Sequence, residues 1–284
     1  MLNMMKKIAL ITGVLTVLIA ISAFLFYNVK ADGKLDKKNY VQSTTPTLFF
    51  HGYGSSANAE RHMTHAAKKA GVTKTVIRAN VDRNGTVTLR GDIPKGAINP
   101  IVEVNYEDNR NPIDVGRYAK AVVSKLQEKY GFTKMNMVGH SLGNMSILYY
   151  LLEHAQDENL PQLQKQVNIA NFAAGLEAMG LSSDVKVDKT TGQPNQVTQT
   201  FQRLLPLREV FPQNQIDVLN IYGDYKNGSD GSVLNSSSRS LKYLVADNAK
   251  SYQEKKITGK LAQHSQLHEN PEVDKILIQF LWGK

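Results

Sequence analysis

From residue 46 onward, short apolar runs alternate with helix-spaced apolar residues. The runs at 47–50, 75–78, 86–89, 101–105, 135–138, 167–172 and 218–222 are of strand length and are bounded by turn residues. Between them, Val115, Tyr118, Ala119, Val122, Val123, Leu126 and Tyr130 recur at helical spacing, and Gly131 stands where a glycine closes a helix. Residues 145–152 read as a second helix. Near the end of the chain, Asn270 and Pro271 form a cap and first turn, with Val273, Ile276, Leu277, Phe280 and Leu281 on one face. Helices alternating with buried strands predict a largely parallel α/β sheet. Ligands of such sheets bind beyond the carboxyl ends of the strands.

The amino-terminal pattern is different. Residues 8–27 carry no charge and follow Lys6 and Lys7, a basic start before a run long enough to cross a bilayer. This segment is expected to serve as a membrane anchor, or as a signal peptide cut after Ala31, with Val29 and Ala31 at the small-residue positions. The globular part is then expected outside the cell membrane or secreted. Residues 32–45 are polar and read as a linker, and 46–284 as the folded domain. Within it, 175–215 is a candidate cap. Its stretch 184–196 is polar, whereas Val197, Phe201, Leu204 and Leu205 would line one helix face before Pro206.

Composition narrows the choices. A chain of 284 residues, 42% hydrophobic and 21% charged, can bury one full core. There is no cysteine, which excludes disulfides, a thiol nucleophile and a cysteine zinc site. The net charge of +9 is spread along the chain without interleaved aromatics. It reads as a solvated surface suited to an anionic cell envelope, and nucleic acid is not an expected partner.

The chemistry gathers at Gly139-His140-Ser141-Leu142-Gly143, which is G-x-S-x-G between the apolar run 135–138 and the helix-like run 145–152. Strand, sharp turn and helix together lift a serine hydroxyl clear of a sheet as a nucleophile. Ser141 is that candidate, and the N–H of Leu142 at the start of the helix is free to meet an oxyanion. Seven histidines compete for the base. His62 and His65 have no cysteine or carboxylate cluster beside them and are expected at the surface, not on a metal. His140 is expected to point elsewhere on the turn, and His154 to face water or cap carbonyls. His264, in a loop before the last helix, is preferred to His268, which crowds the helix cap.

His51-Gly52-Tyr53-Gly54, then G-x-S-x-G, a late Asp-Gly-x-Val and a near-terminal histidine, in that order, resemble an α/β-hydrolase over residues 46–284. The wording at Asn99-Pro100-Ile101, Asp108-Asn109, Gly139 to Asn144 and His264-Ser265 to Asn270 is similar to a group of exported Gram-positive proteins termed cell-surface hydrolases. The resemblance implies a mostly parallel central sheet with helices on both faces and a small cap. It also implies a Ser…Asp…His triad, an activity class and no particular substrate. His51 to Gly54 resembles the oxyanion loop, in which the N–H of Tyr53 joins that of Leu142; His51 itself reads as structural. Two aspartates follow the 218–222 strand, Asp224 and Asp230. Asp230 opens Asp230-Gly231-Ser232-Val233, which matches the acid loop of the family, while Asp224 reads as a turn former.

The expectation from these residues is an exported serine hydrolase that cleaves a carboxylic ester through an acyl-enzyme, with Ser141, His264 and Asp230 as its triad. It would need no cofactor and no metal. Its partners would be a small or lipid-like ester and, through residues 8–27, the cell membrane. An acyltransferase or amidase on the same triad, or a binding module with an unused site, are the alternatives.

Overall fold

The computed structural model describes residues 34–284, and the apolar run at 8–27 lies outside them. Among the described residues no helix is long and apolar enough to cross a membrane. Residues 36–284 make up one compact unit.

Eight strands build its sheet: β1 (Thr47–Phe50), β2 (Val76–Val81), β3 (Val87–Arg90), β4 (Ile101–Tyr106), β5 (Lys134–His140), β6 (Gln162–Ile169), β7 (Asp217–Asp224) and β8 (Ser251–Thr258). Their order across the sheet is β3-β2-β4-β1-β5-β6-β7-β8. The β2–β3 pair is antiparallel and every other pair is parallel. Neighbouring side chains on a strand face opposite ways, so Leu48 and Phe50 enter one core and Phe49 the other.

The first core lies under α2 (Val115–Tyr130) and α3 (Leu142–His154), and the second under α1 (Arg61–Lys69) and α8 (Pro271–Trp282). Helix α2 ends as its spacing requires: Gly131 adopts φ 68°, and its N–H donates to the carbonyl of Gln127. Helix α8 starts at Asn270, whose side chain accepts the N–H of Glu272, with Pro271 in the first turn. Shorter helices α4 (Gln199–Leu204), α5 (Leu207–Val210), α6 (Asn235–Arg239) and α7 (Leu241–Val245) fill the connections on either side of β7.

Several boundaries differ from the sequence expectation. Strand β6 runs over Gln162–Ile169 and stops before Phe172, because Ala170, whose N–H makes a last bond to Ile221 O of β7 at 2.9 Å, turns to φ 50°. Strand β8, Ser251–Thr258, was not foreseen; it is a polar edge strand paired only with β7. The stretch read as a linker is docked from Asp36 onward: Asp36 N–H bonds Gly71 O, Val41 N–H bonds Trp282 O, and Asn99 Nδ2 donates to Val41 O at 2.7 Å. In the candidate cap, Thr198 caps α4 by accepting the N–H of Phe201, so Val197 lies outside the helix and is 56% exposed. Phe201 and Leu204 are buried in the first core.

Candidate active site

Parallel strands end on one side, and the register sets which loops meet there. Phe50 of β1 pairs with Gly139 of β5, so the loop His51 to Gly54 leaves the sheet beside His140 and Ser141. Close approach needs glycine on both sides. A Cβ on Gly143 would collide with the carbonyl oxygen of Phe50, and one on Gly52 would lie 3.2 Å from the Cβ of Ser141.

Ser141 sits at φ 53° and ψ −120°, a conformation few non-glycine residues adopt, between the last residue of β5 and the first of α3. Three bonds hold this turn. Ser141 N–H donates to Ile169 O at 3.0 Å, and Asn144 Nδ2 donates to both Ser141 O and Ile169 O, each at 2.8 Å. Asn144 is itself oriented through the interior: Asn168 Nδ2 donates to Asn144 Oδ1 at 3.0 Å, and Gln166 Nε2 to Asn168 Oδ1 at 2.8 Å. All three amides are fully buried. The amides of Asn144, Asn168 and Gln166 were not read as site residues; the available signal was two polar residues at alternate positions of a buried strand.

Ser141 Oγ lies 2.9 Å from His264 Nε2, and His264 Nδ1 lies 2.8 Å from Asp230 Oδ2. The carboxylate accepts, so in the neutral imidazole the proton is on Nδ1 and the lone pair on Nε2 faces the hydroxyl. Asp230 is buried at the end of the segment following β7. Its Oδ1 accepts the N–H groups of Ser232 at 2.8 Å and Val233 at 2.7 Å. Its carbonyl accepts the N–H of His264 at 2.9 Å, so backbone and side chain both tie the two loops together. Asp224 is engaged elsewhere: it accepts the Gly228 N–H at 3.2 Å and pairs with Lys256 at 3.3 Å.

The other histidines have separate tasks. His51 accepts the Tyr106 N–H on Nε2 at 3.1 Å, so Nδ1 carries the proton and donates to Gly52 O at 2.8 Å. That imidazole fixes the backbone of the loop containing Tyr53, and burial lowers its pKa. His140 does not point away from the site as expected. It is buried, and its Nε2–H donates to the carbonyl of His264 at 3.0 Å. His268 packs edge-on against His140 at 4.8 Å and lies 3.3 Å from Glu269. His62 pairs with Asp274 at 3.2 Å, His65 is exposed, and among the described residues no group of carboxylates and imidazoles has the geometry of a metal site.

Within the described residues the backbone N–H groups of Tyr53 and Leu142 have no acceptor. Leu142 opens a 13-residue helix, whose first N–H groups have no partner of their own and whose dipole favours negative charge.

A strained serine between a parallel strand and a helix, on glycine flanks, with an imidazole and a buried aspartate in line, is the nucleophile-elbow arrangement of α/β-hydrolases. The chain belongs to the family described as alpha/beta hydrolase of unknown function (DUF915), whose model matches residues 34–284. A solved gene product of Listeria innocua is similar at 26% identity and a TM-score of 0.74, over 84% of this chain and 94% of its own. A Lactobacillus plantarum protein, provisionally named a cell surface hydrolase, shares the fold at 20% identity and a TM-score of 0.67, over 84% and 89% of the two chains. No match was found among curated proteins.

Proposed function

We propose that this protein is an exported serine hydrolase that cleaves a carboxylic ester through an acyl-enzyme. The observation that carries the reading is the continuous relay from Ser141 Oγ to His264 Nε2 and from His264 Nδ1 to Asp230 Oδ2. Ser141 Oγ attacks the ester carbonyl while its proton passes to His264 Nε2. The carbonyl oxygen becomes an oxyanion held by the N–H groups of Tyr53 and Leu142, and Asp230 stabilises the imidazolium. The ester C–O bond breaks, and the leaving alkoxide takes the proton from His264. Water then gives a proton to His264, attacks the acyl-enzyme and releases the acid with Ser141 regenerated. Export rests on the uncharged run at 8–27 behind Lys6 and Lys7, which would anchor the protein or be removed from it.

Fluorophosphonate labelling of the full chain tests the mechanism. The wild type labels at Ser141 and turns over p-nitrophenyl butyrate, whereas Ser141→Ala does neither while keeping its circular dichroism spectrum and melting temperature. Turnover retained in that variant refutes a serine mechanism.

A further inference from the structure

The loops after β1 and β4 are fastened to each other next to the proposed oxyanion hole. Gly54 N–H donates to Asn109 O at 2.8 Å, Asn109 Nδ2 donates to Ser55 O at 2.6 Å, and Ala57 N–H donates to Asn105 Oδ1 at 3.0 Å. This fastening lays Arg110 on Gly54. A Cβ at Gly54 would lie 3.4 Å from Arg110 Nε and 3.8 Å from its Nη2, and Gly54 at φ 65° has none. The guanidinium therefore stands one residue beyond Tyr53, whose N–H is assigned to the oxyanion.

Arg110 is exposed and makes no hydrogen bond or ion pair within the described residues. Its own loop offers three carboxylates, and each is committed elsewhere. Glu107 pairs with Arg83 at 3.3 Å, Asp108 accepts from Asn111 at 3.1 Å, and Asp114 holds Arg117 at 3.1 Å and Asn111 at 2.8 Å. The loop thus holds its own acids on other partners and leaves Arg110, beside Gly54, without one among the described residues. A planar guanidinium presents paired N–H donors that match a carboxylate or phosphate two-pronged.

Resting on the hydrolase reading above, we infer that the substrate is an ester bearing an anionic group, received by Arg110 at the rim of the oxyanion loop. A carboxylate and a phosphate share the chemistry that Arg110 selects. The anion sits beyond the scissile carbonyl, so it acts on recognition and leaves the relay at Ser141 unchanged.

Two matched ester pairs test this in the full-length protein. Charge is placed on the acyl side by p-nitrophenyl hydrogen adipate against p-nitrophenyl hexanoate, and on the alcohol side by 3-carboxyphenyl butyrate against phenyl butyrate. In Arg110→Gln, the anionic-to-neutral ratio of kcat/KM should fall about fivefold in one pair, the scale of a single solvent-accessible ion pair. Arg110→Lys should keep part of the ratio, and Arg110→Glu should lower it further. A ratio unchanged by Arg110→Gln and Arg110→Glu in both pairs overturns the inference.

Equilibrium binding separates this failure from failure of the hydrolase reading. Benzoate and phenyl phosphate are titrated into Ser141→Ala by ligand-observed NMR, and the tighter of the two identifies the anion. Binding weakened by adding Arg110→Gln supports the subsite without any turnover. Binding that is equal with and without Arg110 removes it, even if Ser141 proves to be the nucleophile.

Discussion

His140 and His264 are joined by a hydrogen bond that bypasses the proposed triad: the Nε2–H of His140 donates to the backbone carbonyl of His264 at 3.0 Å. The residue that precedes the proposed nucleophile thereby holds the residue proposed as its base. The two rings lie 5.0 Å apart, and burial, reinforced by the charges that His264 and His268 can carry, pushes the His140 pKa well below its ordinary value. A neutral His140 keeps both its donor role and the space for positive charge on His264.

His140→Phe preserves the ring and removes the donor. Its kcat should drop about tenfold, the scale of one lost hydrogen bond in a buried setting, with a smaller change in KM. His140→Gln, which returns an N–H near the position of Nε2, should recover part of kcat. Steady-state kinetics on p-nitrophenyl butyrate checks the split, with melting temperatures measured alongside. A Phe variant as fast as the wild type would show that the carbonyl bond positions nothing.

The choice between neighbouring acids and bases is open to a direct ranking. His264→Ala and Asp230→Asn should each lose kcat by about a thousandfold or more, as members of a triad do. His268→Ala and Asp224→Asn should stay within about tenfold of the wild type, because neither replaced side chain lies in the relay. Activity that depends on His268 or Asp224 more than on His264 and Asp230 would reassign the roles.

Glu60 supplies a stability prediction with a definite sign. It is fully buried ahead of α1, neither carboxyl oxygen has a partner among the described residues, and burial, followed by repulsion from Glu103 and Glu269, raises its pKa well above 4.5. Between the ordinary carboxyl value and the raised one, the unfolded chain has released its proton and the folded chain has not. Stability from this group is therefore present at low pH and lost as pH rises through that window. Glu60→Gln removes the titration, so at about pH 7 it should gain about 2 kcal/mol, or roughly 5 °C in melting temperature. The gain should vanish near pH 4. Thermal melts across pH check it, and a variant with equal or lower stability at neutral pH would show that the buried Glu60 carboxyl carries no net cost there.

What was legible in the chain follows the physics of each signal. Helix α2 could be read because its apolar spacing and Gly131 point the same way, and Ser141 because glycines, strand and helix all surround it. Strand β8 could not, since an edge strand paired on one side tolerates Glu254, Lys255 and Lys256 and loses the apolar alternation of a buried strand. The amino end of β6 was hidden for a related reason. Gln162, Gln164, Lys165 and Gln166 interrupt the apolar pattern there, and Gln166 is buried to orient Asn144 through Asn168, so part of a support for the site reads as loop. Sequence order placed Asp230 and His264 together as expected triad members, and their side chains do meet. It carried no trace of the bond from His140, because a contact between a side chain and a distant backbone carbonyl leaves no residue type at the acceptor.

Substrate length is the last consequence. A lid that opens at a lipid surface needs an apolar face held in reserve, yet Phe201 and Leu204 of the segment between β6 and β7 are spent in the core beneath α3. The stretch 184–196 ahead of them is polar and bonded to itself, with Asp188 accepting the N–H groups of Thr190 and Thr191. What remains exposed there is Met179 at 48% and Val197 at 56%, too little for a broad acyl groove. The protein should therefore prefer p-nitrophenyl esters of short or medium acyl chains. Its rate should pass smoothly through the solubility limit of each ester. A chain-length series measured across that limit is the check: a preference for long-chain emulsions with a sharp rise at the interface would mean that this segment unpacks Phe201 and Leu204 to meet lipid.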